Sequence, residues 1–391
     1  MVDVALIGNA KGTVGVYRTI FPFPSEVFII EQASALTSYM PVILTRTKLS
    51  ETNLACVAIS DSDIFSIKQR LFSLTRFPAL FGRNEMISSL DIIHSHFGSD
   101  GIYAMPLADK LKIPLVVTFH GCDVTCSKKT LIISGRPSAY QFLIHERQLK
   151  KKASAIIAVS DFIYHKLLDK GYPAEKLHLH YIGVDIDKFT PSDTKPLDRY
   201  ILCVGRHDPK KGIDTLLRAF ALIERKHADV KLLLVGNGIL SETLREIAGS
   251  LGILNRVEFL GVQPHKEVVK LMQGAEVFAL PSQKAESGDC EALGIVFNEA
   301  SACGVPIVST WHGGIPEAVV DGETGFLAKE KDCEALATHI DYLLSNREQA
   351  RMMGRRGREY VCEKFDIRKQ TAKLETIYDQ VLSNWQKRGR T

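Results

Sequence analysis

Short runs of β-branched and aliphatic residues recur along this 391-residue chain, and stretches of helical periodicity lie between them. Residues 2–7, 42–44, 92–94, 115–119 and 155–159 form one series of runs; 200–204, 230–235, 257–260, 277–280 and 305–309 form a second. Nearly every position in a run is apolar, not every other one. That is the pattern of strands covered on both faces, as in a parallel sheet with crossover helices on either side. Segments 213–224, 241–251 and 265–273 read as such helices. The predicted class is therefore doubly wound α/β. In such sheets ligands bind beyond the carboxyl ends of the strands, so the segments after each run are where chemistry is expected.

The length suits two domains of roughly 100–200 residues each. The periodicity breaks at residues 189–198, which carry two prolines and read as a linker. The predicted division is a first domain over 1–188, a second over 199–366, and a polar amphipathic helix over 367–391. That helix is open to packing on either domain, with the N-terminal one as the assignment. Hydrophobic residues make up 45% of the chain and charged residues 24%, the balance of a soluble protein. A net charge of +4 is too small to point to nucleic acid. The start MVDVALIGNA reads as a strand and not as a signal peptide, and no apolar run approaches the roughly 20 residues that span a bilayer. A cytoplasmic protein, at most peripheral to the membrane, is expected. Eight scattered cysteines show no CxxC spacing, and Cys122 and Cys126 read as reduced thiols without a zinc site.

Two segments carry the chemistry of the second half. Gly205-Arg206-His207-Asp208-Pro209-Lys210-Lys211-Gly212 follows a strand and precedes a helix. Gly205 is expected to allow a tight turn. Arg206 and Lys211 set two cations beside a helix N-terminus, a combination suited to a diphosphate. The second segment runs from Cys290 to Ala300, with Glu291 in a loop and Glu299 inside the following helix. Carboxylates accept paired hydrogen bonds from vicinal sugar hydroxyls. Gly294 lets the backbone N–H groups of Ile295 and Val296 approach a phosphate.

These residues belong to an ordered set. Glu291-x7-Glu299 is followed by Gly304-Val305-Pro306, Gly313-Gly314-Ile315-Pro316-Glu317 and Asp321-Gly322-Glu323-Thr324-Gly325. Gly205-Arg206, Lys211-Gly212, Gly236-Asn237-Gly238 and Phe259-Leu260-Gly261 precede it. The whole resembles the group 1 (family 4) glycosyltransferases, over all of the second half and much of the first. The resemblance implies the GT-B fold, two Rossmann-like domains facing across a cleft. It implies that Arg206 and Lys211 hold the donor diphosphate, with the backbone of Gly294, Ile295 and Val296. It implies Glu299 on the ribose, Glu291 on the donor sugar, and the loop after Gly261, at Val262, against the base. It further implies transfer with retention of configuration, without a cofactor or catalytic metal.

In the first half, Thr118-Phe119-His120-Gly121-Cys122-Asp123 follows a buried run. The resemblance places His120 near the anomeric region of the donor sugar. Pro22-Phe23-Pro24-Ser25-Glu26-Val27-Phe28-Ile29 replaces the glycine-rich loop of many relatives. It is similar to the variant of bacterial exopolysaccharide (colanic-acid-type) and capsule transferases. Ser25, Glu26 and Asp123 are the acceptor-side candidates. The implied donor is a UDP- or GDP-hexose, and the implied acceptor a saccharide or lipid-diphosphate-linked saccharide. A phosphorylase-like enzyme and a sugar-nucleotide-binding subunit without transferase activity are the alternatives. The DxD matches at Asp61/Asp63 and Asp185/Asp187 lack the context of a metal site and read as acidic turns. Residues 128–152 hold seven Lys or Arg against one Glu, interleaved with Leu131, Ile132, Ile133, Phe142, Leu143 and Ile144. This segment is either a solvated helix face or a contact with an anionic membrane or lipid-diphosphate acceptor.

Overall fold

The structure is a computed structural model that describes residues 10–23, 26–61, 66–192 and 198–388. The chain forms two compact units, residues 1–183 with 367–391, and residues 184–366. The strand expected over 2–7 lies outside the described residues, as do 193–197 of the expected linker. The rest of the 189–198 stretch belongs to the second unit, because the chain changes units at Gly183–Val184 and again at Asp366–Ile367.

The described residues of the first unit form a seven-stranded, all-parallel sheet. Its strands are β1 (Gly12–Phe21), β2 (Tyr39–Lys48), β3 (Ala55–Asp61), β4 (Ile92–His96), β5 (Leu115–Phe119), β6 (Ala155–Ala158) and β7 (Leu177–Leu179). Their spatial order is β3-β2-β1-β4-β5-β6-β7. β1 lies between β2 and β4, with Val14, Val16, Tyr17 and Phe21 buried. The expectations above contain no strand here, because Gly15 and Arg18 interrupt the apolar run. Gly15 has a packing reason: a Cβ there would come within 2.9 Å of the Leu44 side chain.

The C-terminal helix Ile367–Arg388 packs on this unit. Leu374, Ile377, Tyr378 and Val381 share a core with Val14, Val16, Ile92 and Val116. Burying each such side chain contributes about 1.5–3 kcal/mol. Glu375 adds direction by accepting hydrogen bonds from Thr37 N (2.7 Å) and Ser38 N (2.6 Å). Where the helix begins, a Cβ on Gly183 would lie 2.3 Å from the Ile367 Cα, so only glycine fits.

The second unit repeats the plan. β8 (Arg199–Val204), β9 (Val230–Val235), β10 (Val257–Gly261), β11 (Val277–Ala279), β12 (Ile307–Thr310) and β13 (Gly325–Ala328) form a parallel sheet in the order β10-β9-β8-β11-β12-β13. The helices Ile213–Ile223, Ser241–Ser250 and His265–Gly274 fall where the periodicity puts them. In both sheets the order reverses beside the first strand. The crevice therefore opens between β1 and β4 in one unit, and between β8 and β11 in the other.

Candidate functional site

At the crevice of the second unit, the loops after β8 and β11 meet through opposite charges. Lys211 Nζ lies 2.5 Å from Glu291 Oε2, both side chains being 12% exposed. Lys210 pairs with Asp289 at 3.2 Å, and Arg206 with Asp208 at 3.1 Å. Burial alone would raise the Glu291 pKa, but the charges of Lys211 and Lys210 prevail and hold it at about 2. Burial works against the charge on Lys210, yet Glu291 and Asp289 raise its pKa. Glu291 is thus a fixed anion and Lys210 a fixed cation at neutral pH. Arg206, 62% exposed, projects into solvent.

Glycines fix the backbone around this pair. Gly313 has φ +57°, and a Cβ there would sit 2.1 Å from the Glu291 carbonyl oxygen. A Cβ on Gly314 would sit 1.9 Å from the Ala292 carbonyl oxygen, and Gly314 N donates to Glu291 O at 3.0 Å. The His312 ring accepts from Glu291 N at Nε2 (3.0 Å) and meets Glu330 through Nδ1 (2.7 Å). The Gly-Gly-Ile-Pro-Glu segment is therefore the seat of the Glu291 loop. Gly236 (φ +129°) likewise leaves room for the Gly205 carbonyl oxygen, which a Cβ would meet at 2.0 Å. Gly205 itself does not need its lack of a side chain: it has no positive φ, and the nearest atoms to a Cβ are 3.6 Å away. The turn attributed to Gly205 depends on Gly236 instead.

The helix Ile295–Ala302 starts at Gly294, whose φ of +79° only glycine adopts without strain. The N–H groups of Ile295 and Val296 stand in its first turn, where no acceptor exists within the helix. Glu299 lies further along, 14% exposed, with His265 Nε2 at 3.7 Å. Val262 follows β10 and is 70% exposed. The structure thus brings Lys211, Glu291 and the Gly294 turn together. It sets Glu299 one to two turns further on, and leaves Arg206 and Val262 on the solvent side of their loops.

The first unit has its own cluster at the crevice between β1 and β4. Arg18, from β1, binds Glu26 through Nε (2.6 Å) and Nη2 (2.8 Å), and Asp100 through Nη1 (2.7 Å). Asp100 is 2% exposed and also accepts from Thr19 N and Thr19 Oγ1. Glu26 precedes the helix Val27–Ser34 without capping it by its side chain; its carboxylate is taken up by Arg18. Ser25 lies outside the described residues. The Arg18 guanidinium covers the Phe97 ring at 4.5 Å, and that ring lies 4.6 Å from His120.

His120 directly follows β5 and forms one stack with His96 and His94. His96 Nδ1 lies 3.0 Å from His120 Nε2, and His94 bridges Tyr378 Oη and Thr118 Oγ1, each at 2.6 Å. Burial, with the charges of His94 and Arg18, pushes the His120 pKa down to about 3. The ring is neutral near pH 7. Asp123 is 7% exposed and accepts from Gly98 N (2.8 Å) and Gly121 N (3.0 Å). Its carboxylate braces the turns after β4 and β5, and burial raises its pKa to about 6. Asp185 accepts from the backbone N–H groups of Asp187 and Lys188, as expected of an acidic turn. Asp63 lies outside the described residues.

Sequence reasoning missed Arg18, Asp100, His96 and Lys210. Only Lys210 carried a local signal, its place beside Lys211. The other three come together through folding, with Arg18 and Asp100 lying 82 positions apart.

Comparison with known proteins agrees with this architecture. Residues 185–360 match the family described as glycosyl transferases group 1, and residues 45–188 match glycosyltransferase family 4. The chain is 34% identical over 242 residues to the GDP-mannose-dependent alpha-(1-6)-phosphatidylinositol monomannoside mannosyltransferase of Mycolicibacterium smegmatis. That alignment covers 59% of this chain and 63% of the mannosyltransferase, so just under two thirds of the relative's length is spanned. It is 30% identical over 294 residues to the putative colanic acid biosynthesis glycosyltransferase WcaL of Salmonella typhimurium, covering 73% of this chain and 70% of the relative. In fold it is similar to Anabaena HepE, solved in complex with UDP and glucose. There the TM-score is 0.74 at 19% identity, over 94% of this chain and 100% of HepE. Two parallel-sheet α/β units, the matched family regions and these relatives together establish that the chain is of the GT-B fold and belongs to the group 1 glycosyltransferases.

Proposed function

We propose that this chain moves a hexose, with retention of anomeric configuration, from a UDP- or GDP-sugar to a saccharide or lipid-linked saccharide. The observation that carries the reading is the Lys211–Glu291 pair at the β8/β11 crevice, next to the first turn of the helix Ile295–Ala302. Cleaving the anomeric C–O bond puts negative charge on the departing diphosphate. Lys211 and the N–H groups of Ile295 and Val296 stabilise that charge from fixed positions, and Arg206 reaches it from the solvent side, with no metal called for. Glu291 takes hydroxyls of the donor sugar, Glu299 the ribose, and the loop at Val262 the base. His120 acts on the sugar as an uncharged hydrogen-bonding group. A diphosphate oxygen accepts the proton of the incoming hydroxyl, so no further base is needed.

The names of the relatives support polysaccharide or glycolipid assembly, and the mycobacterial one favours a GDP-mannose donor. No helix among the described residues is long and apolar enough to cross a membrane. This fits work at the cytoplasmic face on an acceptor carried by lipid. The test is a panel of UDP- and GDP-hexoses screened by thermal shift, followed by transfer assays with and without a chelator. Stabilisation by one donor and chelator-resistant transfer are expected, with a product that keeps the donor's anomeric configuration. No stabilisation by any donor, or an inverted product, sinks the proposal.

A further inference from the structure

The helix Ile67–Thr75 is docked the wrong way round for a soluble surface. Its buried positions are Gln69, Phe72 and Ser73, while Ile67 is 84% exposed, Leu71 45% and Leu74 68%. The exposed three follow i, i+4, i+7 spacing, an apolar stripe that ordinarily faces the core. Phe77, just past the helix, is 57% exposed. Polar contacts hold the inverted orientation: Arg46 Nη1 donates to Ser73 Oγ (2.6 Å), and Tyr103 Oη donates to Ser73 O (3.0 Å).

The stripe continues onto two neighbouring helices, Lys128–Ile133 and Pro137–Lys152. Gln141 Nε2 donates to Leu74 O at 2.9 Å, and Tyr140 Oη donates to Ile132 O at 2.9 Å, so the three helices present one face. On it Ile132 is 52% exposed, Ile133 72%, Tyr140 43% and Ile144 69%. The charge around these side chains has one sign. Lys68, Arg70, Lys128, Lys129, Arg136 and Arg147 are all exposed. Residues 66–76 contain no acid, and the one acid within 128–152, Glu146, is paired with Lys150 at 3.3 Å.

We propose that this face docks the first unit onto an anionic lipid bilayer. Aliphatic and aromatic side chains enter the boundary between headgroups and acyl chains, and the surrounding cations meet the lipid phosphates. A second copy of the chain would set cation against cation, which disfavours self-association through this face. The surface is independent of the transfer reaction proposed above.

The test is co-sedimentation of the full chain with phosphatidylcholine vesicles, with and without phosphatidylglycerol, at low and high salt. Binding is expected only to the phosphatidylglycerol vesicles, and weaker at high salt. The variant Ile67→Ser/Leu74→Ser and the variant Lys128→Glu/Lys129→Glu are each expected to lower partitioning by at least about tenfold, the first through lost apolar burial and the second through lost charge. Both should keep the wild-type melting temperature, because every changed side chain is exposed. Equal binding to both kinds of vesicle, or variants that bind like the wild type, would overturn the proposal. So would a solution dimer that the Ile67→Ser/Leu74→Ser change dissolves while vesicle binding stays the same. Transfer to a soluble acceptor is the separate readout. If it persists while vesicle binding fails, the docking surface falls and the transferase reading stands.

Discussion

Replacing Lys211 with methionine removes the cation nearest Glu291 and keeps most of the side-chain bulk. In the folded chain the Glu291 pKa is lowered from 4.5 to about 2. At roughly 1.4 kcal/mol per pKa unit, that is about 3 kcal/mol of net favourable interaction. Lys211, Lys210 and His312 share it, and Lys211 has the largest part. We assign about 2 kcal/mol to the Lys211–Glu291 pair, within the range for partly buried pairs in contact. Because the folded pKa is depressed, this stability is fully present above about pH 4.5. It is lost as the pH falls toward about 2. A double-mutant cycle of Lys211→Met and Glu291→Gln, followed by urea unfolding at pH 7, should return a coupling near that size. A coupling below about 0.5 kcal/mol would refute the electrostatic account.

The same cycle separates two roles for Lys211. As the cation that meets a diphosphate, its loss weakens UDP or GDP binding by about tenfold, the worth of one charge-assisted hydrogen bond. Adding Glu291→Gln relieves the stranded carboxylate and restores stability, but supplies no cation for the ligand. Calorimetric titration should then show a double variant that is stable yet still weak in nucleotide binding. If nucleotide affinity returns along with stability, Lys211 only positions Glu291 and does not touch the donor.

Three further outcomes rest on other parts of the fold. Gly313→Ala puts a methyl 2.1 Å from the Glu291 carbonyl at a φ of +57°, whereas Gly205→Ala meets nothing closer than 3.6 Å. The first should cost several kcal/mol in unfolding free energy and the second less than about 1; equal effects would contradict the packing described. Arg358 donates to the carbonyls of Phe189 (2.7 Å), Ile186 (3.1 Å) and Ala302. Arg358→Ala should therefore lower stability by about 2–3 kcal/mol, and an unchanged melting temperature would show these bonds to be idle. Burial holds His94 and His96 well below the usual imidazole range, with His120 at about 3 and His180 at about 4. The unfolded chain takes up protons at about 6.5 that the folded chain refuses, so stability is present above that pH and falls as the pH drops below it. Calorimetry should find a lower melting temperature at pH 5 than at pH 7.5, and a flat profile would be evidence against the buried stack.

The second unit was far more legible in the sequence than the first, for a physical reason. Its charged pair comes from two loops whose residues are contiguous in the chain, and the glycines that seat those loops lie within the motifs that carried the resemblance. Gly236 and Gly313 are constrained by backbone contacts, so they leave a pattern that reads without coordinates. Gly205 sits in the same pattern without such a contact, so the pattern overstated its part. β1 went unseen because a half-buried arginine and a glycine broke its apolar run. Arg18 is tolerated there only because Glu26 and Asp100 meet it, and neither partner is adjacent in sequence. The edge strand β7 has only three residues, too few for periodicity to register.

The two crevices have the same topology but a different charge balance. At β1/β4, one guanidinium faces the carboxylates of Glu26 and Asp100, so the cluster carries an excess of negative charge. At β8/β11, Arg206, Lys210 and Lys211 stand against Asp208, Asp289 and Glu291, so the side chains balance. A helix N-terminus then adds a partial positive charge to the balanced side. A nucleoside diphosphate brings two or more negative charges, so on charge alone the balanced crevice suits it better than the negative one. Asp100 is buried with its oxygens taken by Arg18 and Thr19, which leaves the partly exposed Glu26 and Arg18 as an acceptor and a donor suited to neutral hydroxyls. On the function proposed above, it is therefore the second unit's crevice whose charge suits the anionic donor, and the carboxylate content of each crevice would separate that donor from a hydroxyl-bearing acceptor.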